Sequence, residues 1–191
     1  LNAGLDRFTT VLFGGSDGLD VTERNPFRNA LMDDKAEDTS YELYSLKKAI
    51  NIMADAEQTQ YNLITMPGVT QALVTDHLLD VVEDRGDALA IIDIDKVYTP
   101  DTESTASEAD RNNFTVKQAI DALRDRNINN SYGAAYYPWV RINDDISGGS
   151  LWVPPSVAAI GAIGYSDLVS YPWFAPAGFN RGSLDFVKNT H

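Results

Sequence analysis

Asp93-Ile94-Asp95 closes an almost wholly apolar run that begins at Ala88. Two carboxylates so spaced at the end of a buried strand could divide a phosphoryl transfer. One would attack phosphorus, the other would move the proton, and Mg²⁺ would sit between them. The plainer reading, which we prefer, is a buried strand that emerges into solvent and ends in ordinary acids. Other material for catalysis is thin. The chain has no cysteine, which excludes disulfides and thiolate–zinc sites, and its histidines are His77 and His191. His77 lies beside a helical apolar stripe and reads as a packed or surface side chain, so a Ser–His–Asp triad has little to draw on. Gly14-Gly15-Ser16-Asp17-Gly18 could cradle an anion with backbone N–H groups, but it lacks the Gly-Lys-Ser/Thr ending of a P-loop and reads as a structural turn. Asp17, Asp20, Asp144 and Asp145 could join a Ca²⁺ site, but their spacing fits no EF-hand. Asn129-Asn130-Ser131 fits a glycosylation acceptor, a pattern common by chance.

The elements that would carry these residues follow from periodicity. Thr39-Ser40-Tyr41-Glu42 reads as a capping box, and Leu43, Leu46, Ile50, Met53 and Ala54 follow at helical spacing, so a helix is expected at about 40–56. Tyr61 to Met66 is a short strand ended by Pro67-Gly68. Val74, Leu78, Val81 and Val82 predict an amphipathic helix over about 69–85, closed by Gly86. Ala88 to Ile94 is nearly all apolar, as suits a strand buried on both faces. Thr99 to Asp110 reads as an acidic surface loop. Thr115 to Gln118 is a second capping box, opening a helix to about 126. Tyr132 to Ile142 reads as one strand, Ser147-Gly148-Gly149 as a turn and Leu151 to Val153 as a short strand. Pro154-Pro155-Ser156 can start a helix rich in small residues. Helices alternating with strands favour an α/β fold with a mostly parallel or mixed β-sheet flanked by helices. Residues 1–20 form an opening loop or arm, and residues 21–191 a single α/β domain.

Composition narrows the function classes. Apolar residues make up 43% and charged residues 23% of the 191, ordinary for a globular chain. A formal net charge of -13 repels a phosphate backbone and argues against direct nucleic-acid binding. No apolar run reaches the ~18–20 residues of a membrane-crossing helix, so no membrane insertion is expected. Ten of the 19 aromatic residues, including every tryptophan, lie between Tyr132 and Phe179. Large rigid side chains of this kind dominate cores and interfaces alike.

That C-terminal third carries an ordered set of motifs. Tyr136-Tyr137-Pro138-Trp139-Val140 precedes Val153-Pro154-Pro155-Ser156, then Ala158 to Ile163, Ser166-Asp167, and Trp173-Phe174-Ala175-Pro176-Ala177-Gly178-Phe179-Asn180-Arg181-Gly182. In this order the block resembles the tail sheath proteins of contractile (myovirus-type) bacteriophages. Gly14, Gly15, Asp17 and Gly18 resemble that family's Gly-Gly-x-Asp-Gly segment, and Glu83 to Ala88 its helix-to-strand junction. The resemblance spans about residues 10–185. Val157 stands where many relatives have Gly, and Gly164-Tyr165 where they have Ala-Arg. The motif positions are Gly14, Gly15, Asp17, Gly18, Tyr137, Pro138, Trp139, Pro154, Pro155, Ser156, Asp167, Trp173, Pro176, Ala177 and Gly178. Tyr137, Trp139, Trp152 and Trp173 are expected in the core, with an interface the alternative, above all for Trp173 and Phe174.

The resemblance implies a structural fragment of a longer subunit, with no catalytic residue, cofactor or metal. Such a subunit polymerises helically around the tail tube and contracts to drive it through the host envelope for DNA ejection. Its implied partners are other sheath subunits, the tail tube protein, the baseplate and the tail terminator. Its place is the virion, after assembly in the host cytoplasm. Asp93 and Asp95 also resemble the first motif of haloacid-dehalogenase-like phosphohydrolases, but Lys96-Val97 replaces the small pair usual there. A Mg-dependent phosphohydrolase is the alternative reading.

Overall fold

The computed structural model describes residues 25–94, 99, 101, 104–111, 115–146 and 148–190. The predicted 1–20 arm with Gly14, Gly15, Asp17 and Gly18, and also Asp20, Asp95, Ser147 and His191, lie outside the described residues.

The chain begins with a short helix, α1 (Asn29–Met32), then α2 (Tyr41–Ile52). Ser40, rather than Thr39, caps α2, accepting from the Leu43 N–H at 3.2 Å. The Thr39 hydroxyl instead bonds back to Ala36. The helix stops at Ile52, four residues short of the expected end. Strand β1 (Leu63–Thr65), helix α3 (Ala72–Arg85) and strand β2 (Leu89–Asp93) follow as a βαβ unit. Helix α4 (Glu108–Arg111) is one turn inside the segment expected to be all loop. Helix α5 (Val116–Asp125) has the reciprocal Thr115/Gln118 capping box read from the sequence. It leads to β3 (Gly133–Tyr136).

Strands β1, β2 and β3 pair in parallel, in that order. Successive residues of a strand face opposite ways. Ala90 and Ile92 join the cluster of Leu43, Ile50, Val74, Leu78 and Val82 from α2 and α3, with Leu123 of α5 packed on it. Ile91 and Asp93 therefore face the other way, where α6 (Pro155–Val169) lies against β2 and β3. β2, buried from Ala90 to Asp93, thus has helices on both faces, as its nearly all-apolar run predicts. Each Leu, Ile or Val so buried contributes roughly 1.5–3 kcal/mol.

The stretch read as one strand, Tyr132 to Ile142, is two strands in two sheets. β3 ends at Tyr136, and β4 (Val140–Asp144) begins after Tyr137-Pro138-Trp139, whose Tyr137–Pro138 peptide is cis. Proline has no N–H to give a ladder, so pairing breaks there. β4 is the centre of an antiparallel sheet between β5 (Gly149–Val153) and β6 (Val187–Thr190), a strand the sequence pattern missed. A small cluster of Val140, Val153 and Ala158 joins this sheet to α6. The α/β class holds, with the strands divided between one parallel and one antiparallel sheet.

Candidate functional site

Asp93 is where the two sheets and α6 meet. Its side chain leaves the end of β2 on the α6 face and is 1% exposed. Oδ1 accepts the Ser156 N–H at 3.0 Å, and Oδ2 accepts the Ser156 hydroxyl and the Gly68 N–H, each at 2.8 Å. Pro154 and Pro155 open α6 and have no N–H of their own, so Ser156 carries the first free donor of the helix. No local side chain caps α6. Asp93, 63 residues earlier in the chain, takes that role.

The Gly68 donor is held by a β-turn. The Val69 N–H reaches the Met66 carbonyl at 3.1 Å, with Pro67 and Gly68 between them and Gly68 at φ +80°. A type II turn takes Pro then Gly at those positions because only Gly enters that φ freely. Asn29 pins the same turn: its Nδ2 donates to the Gly68 carbonyl at 2.8 Å and its Oδ1 accepts from the Thr70 N–H at 2.9 Å.

Burial pushes the Asp93 carboxyl above its ordinary value, opposed by the hydrogen bonds from Gly68 and Ser156. Both carboxylate oxygens are thus engaged inside the protein, and neither is presented to a substrate. The expectation that this strand end emerges into solvent is corrected at Asp93, because the α6 N-terminus and the Pro67-Gly68 turn close over it. Neither the Asp93/Asp95 pattern nor the Pro-Pro-Ser motif signals this pairing alone, since the partners are distant in sequence.

A second anchor explains the Glu83–Ala88 junction. The Arg85 guanidinium donates to the carbonyls of Met53 at 2.7 Å and Thr59 at 3.1 Å, and it grips Asp87 with two bonds. It also lies 4.1 Å from the centre of the Tyr61 ring. The Asp87 bond raises the Arg85 pKa, and Arg85 in turn holds the Asp87 carboxyl low.

The other motif residues divide between core and surface. Pro155 and Ser156 are buried, and Pro154 is half-buried. Trp139 is 6% exposed and lines a cavity of about 370 Å³ with Gly68, Arg141, Trp152 and Pro154. Trp152 is half-buried, and its Nε1 donates to Glu108 at 3.2 Å. Pro138 is half-buried. Tyr137, expected in the core, is 38% exposed beyond the end of β3. Trp173, also expected there, is 75% exposed. Residues 171–180, which include Pro176, Ala177 and Gly178, are exposed without a break, because no described element packs over them. Asp167 is exposed near the end of α6.

The loop is nonetheless shaped. Tyr171 and Trp173 stack with centroids 4.7 Å apart, and the Arg181 guanidinium sits 4.7 Å from the centre of the Phe174 ring. The Gly182 N–H closes back on the Gly178 carbonyl at 2.8 Å. A Cβ at Gly182 would fall 2.8 Å from the Ala177 Cα, so that close approach requires glycine.

Among the described residues the minor candidates do not converge. His77 Nε2 lies 2.7 Å from Asn51 Oδ1, a surface link between α3 and α2. Asp144 Oδ1 accepts the Ile146 N–H at 3.0 Å, as in a turn. Among the described residues, no group of three or more His, Asp or Glu side chains is placed to hold a metal ion. No described helix is long and apolar enough to cross a membrane.

No protein-family model matches the chain. A stretch of 66 residues, 32% of the chain, is 37% identical to the "Tail sheath protein" of Vibrio phage KVP40. The match spans only 9% of that protein's length. A sheath relationship is thus supported over a third of the chain and over a small part of the relative.

Proposed function

We propose that this chain is part of a contractile phage tail sheath subunit, a structural protein of the virion rather than an enzyme. One observation carries the reading: the ordered Tyr137-Pro138-Trp139, Pro154-Pro155-Ser156 and Trp173 to Gly182 motifs occur in a chain partly similar to a phage tail sheath protein. The geometry supports it at two points. The Pro-Pro-Ser motif and the end of β2 form a buried clamp with no free catalytic oxygen. The Trp173 motif forms a shaped, exposed aromatic loop of the kind used in assembly.

In this reading residues 21–191 are one α/β domain and residues 1–20 an arm. The subunit polymerises with its own copies around a tail tube, between baseplate and tail terminator, after assembly in the host cytoplasm. A helical polymer arises from head-to-tail contacts that do not close. Contraction is a rigid-body change between two such packings, and it drives the tube through the envelope for DNA ejection. The fifteen motif positions act through packing and contact, and no cofactor is called for.

The test is negative-stain electron microscopy of the full-length parent protein, purified alone. Helically striated tubes are the expected result. Dispersed particles at every concentration and salt condition would overturn the reading.

A further inference from the structure

The antiparallel sheet leans on the rest of the molecule at one end. Trp139 leads into β4 at Val140, and β5 leaves at Val153 for Pro154 and α6. Val140 and Val153 are register partners, so these two chain crossings lie side by side. The third crossing, residues 170–186, holds no helix or strand. Among the described elements, none of the three strands lies broadly against a helix or strand outside the sheet. The buried apolar cluster it shares with α6 is small, Val140, Val153 and Ala158, and sits at that same end. The core of the parallel layer is far larger and draws on α1, α2, α3 and β2.

Beyond that end the sheet stands off from the parallel layer. Arg141 and Trp152 are register partners and share one face of the sheet. The cavity of about 370 Å³ lies between that face and the Pro67-Gly68 turn. Close-packed interiors have few voids larger than a water molecule, and such interlocking is what fixes one layer against another. It does not span this cavity. The bond from Trp152 Nε1 borders it and ends on Glu108, an exposed carboxylate that water can serve equally well.

The other side of the joint is fixed. Asp93 holds both Ser156 at the start of α6 and Gly68 in the turn, and α6 lies on β2 and β3. Hinges are a few residues at element ends that absorb a backbone rotation. Trp139-Val140 and Val153-Pro154 meet that description, since rotation at both moves the whole sheet and breaks no ladder bond between β4 and β5.

We propose that the antiparallel sheet is a flap that swings as one body about its Val140/Val153 end. The swing opens and closes the cleft between Arg141 and Trp152 on the flap and Pro67 and Gly68 on the parallel layer. Asp93 belongs to the fixed side of the hinge. The motion is internal to one chain and does not rest on the sheath reading.

The test uses the 191-residue chain, whose lack of native cysteine lets nitroxide labels go only where cysteine is introduced. Asp84→Cys on α3 is paired in turn with Asn143→Cys on β4, Lys188→Cys on β6 and Val157→Cys on α6, all exposed positions. Circular dichroism checks that each pair is folded. Pulsed dipolar spectroscopy of the frozen ensemble then gives three distance distributions. Those from Asp84 to Asn143 and to Lys188 should be on the order of twice as wide as that from Asp84 to Val157. The β4 and β5 amides should stay protected in hydrogen exchange, because the ladder moves intact. Three equally narrow distributions would overturn the proposal. Wide flap distances with unprotected β4 and β5 amides would overturn it too, since the strands would then be fraying and not swinging. Pro154→Gly releases a φ of -65° that the ring holds, and should widen the two flap distances while leaving Asp84 to Val157 unchanged. Equal widening of all three would place the motion outside the hinge and likewise overturn it. Tubes from the parent protein, or their absence, bear on the sheath reading alone.

Discussion

At the scale of single residues, Asp93 governs how the two halves of the chain are held. It satisfies two backbone donors and one hydroxyl that would otherwise be buried and unpaired. Asp93→Asn keeps the shape but turns an amide NH₂ toward one of the two N–H groups. The expected cost is about 1–3 kcal/mol, measured by urea unfolding at neutral pH. The pH dependence has a defined sign. Burial raises the folded-state pKa of Asp93 above its unfolded value. In the window between the two values the folded state binds the extra proton, so this group's contribution falls as pH rises and returns as pH falls. The stability difference between the native chain and Asp93→Asn should therefore shift in favour of the native chain as pH is lowered from neutral toward ~4. Parallel pH profiles for the two proteins would refute this account of the carboxyl.

At the scale of elements, α3 and α5 are held differently. α3 is anchored by Val74, Leu78 and Val82 in the core and by Arg85 at its end. α5 buries one residue, Ala119, and so depends more on its own ends. Thr115 accepts from the Gln118 N–H while Gln118 returns a bond to the Thr115 N–H. Thr115→Ala should cost about 1 kcal/mol. Hydrogen exchange should show the loss as faster opening of residues 116–125, with the α3 amides little changed. Equal acceleration in both helices would mean that α5 is not a separately weak element.

At the scale of the whole molecule, the charge distribution sets the response to salt. A formal net charge of -13 opposes compaction through self-repulsion, and salt shortens the reach of that repulsion. The midpoint of urea unfolding should rise between ~10 mM and ~500 mM sodium chloride, where the Debye length falls from roughly 30 Å to under 5 Å.

Local rules determined much of the secondary structure. The Thr115–Gln118 box, the Gly86 stop, the Pro155 start of α6 and the nearly all-apolar run of β2 each depend on neighbours within a few residues, so they were legible in the sequence. Even the type II turn follows from Pro67-Gly68. Only the tertiary structure decided that Asp93 caps a helix 63 residues away, that Tyr132 to Ile142 divides between two sheets, and that Trp139 is buried while Trp173 is bare. The reason is the same in each case. A carboxylate, an apolar strand or an indole has one chemistry whether it faces core or solvent, and which it faces is set by the elements that fold against it.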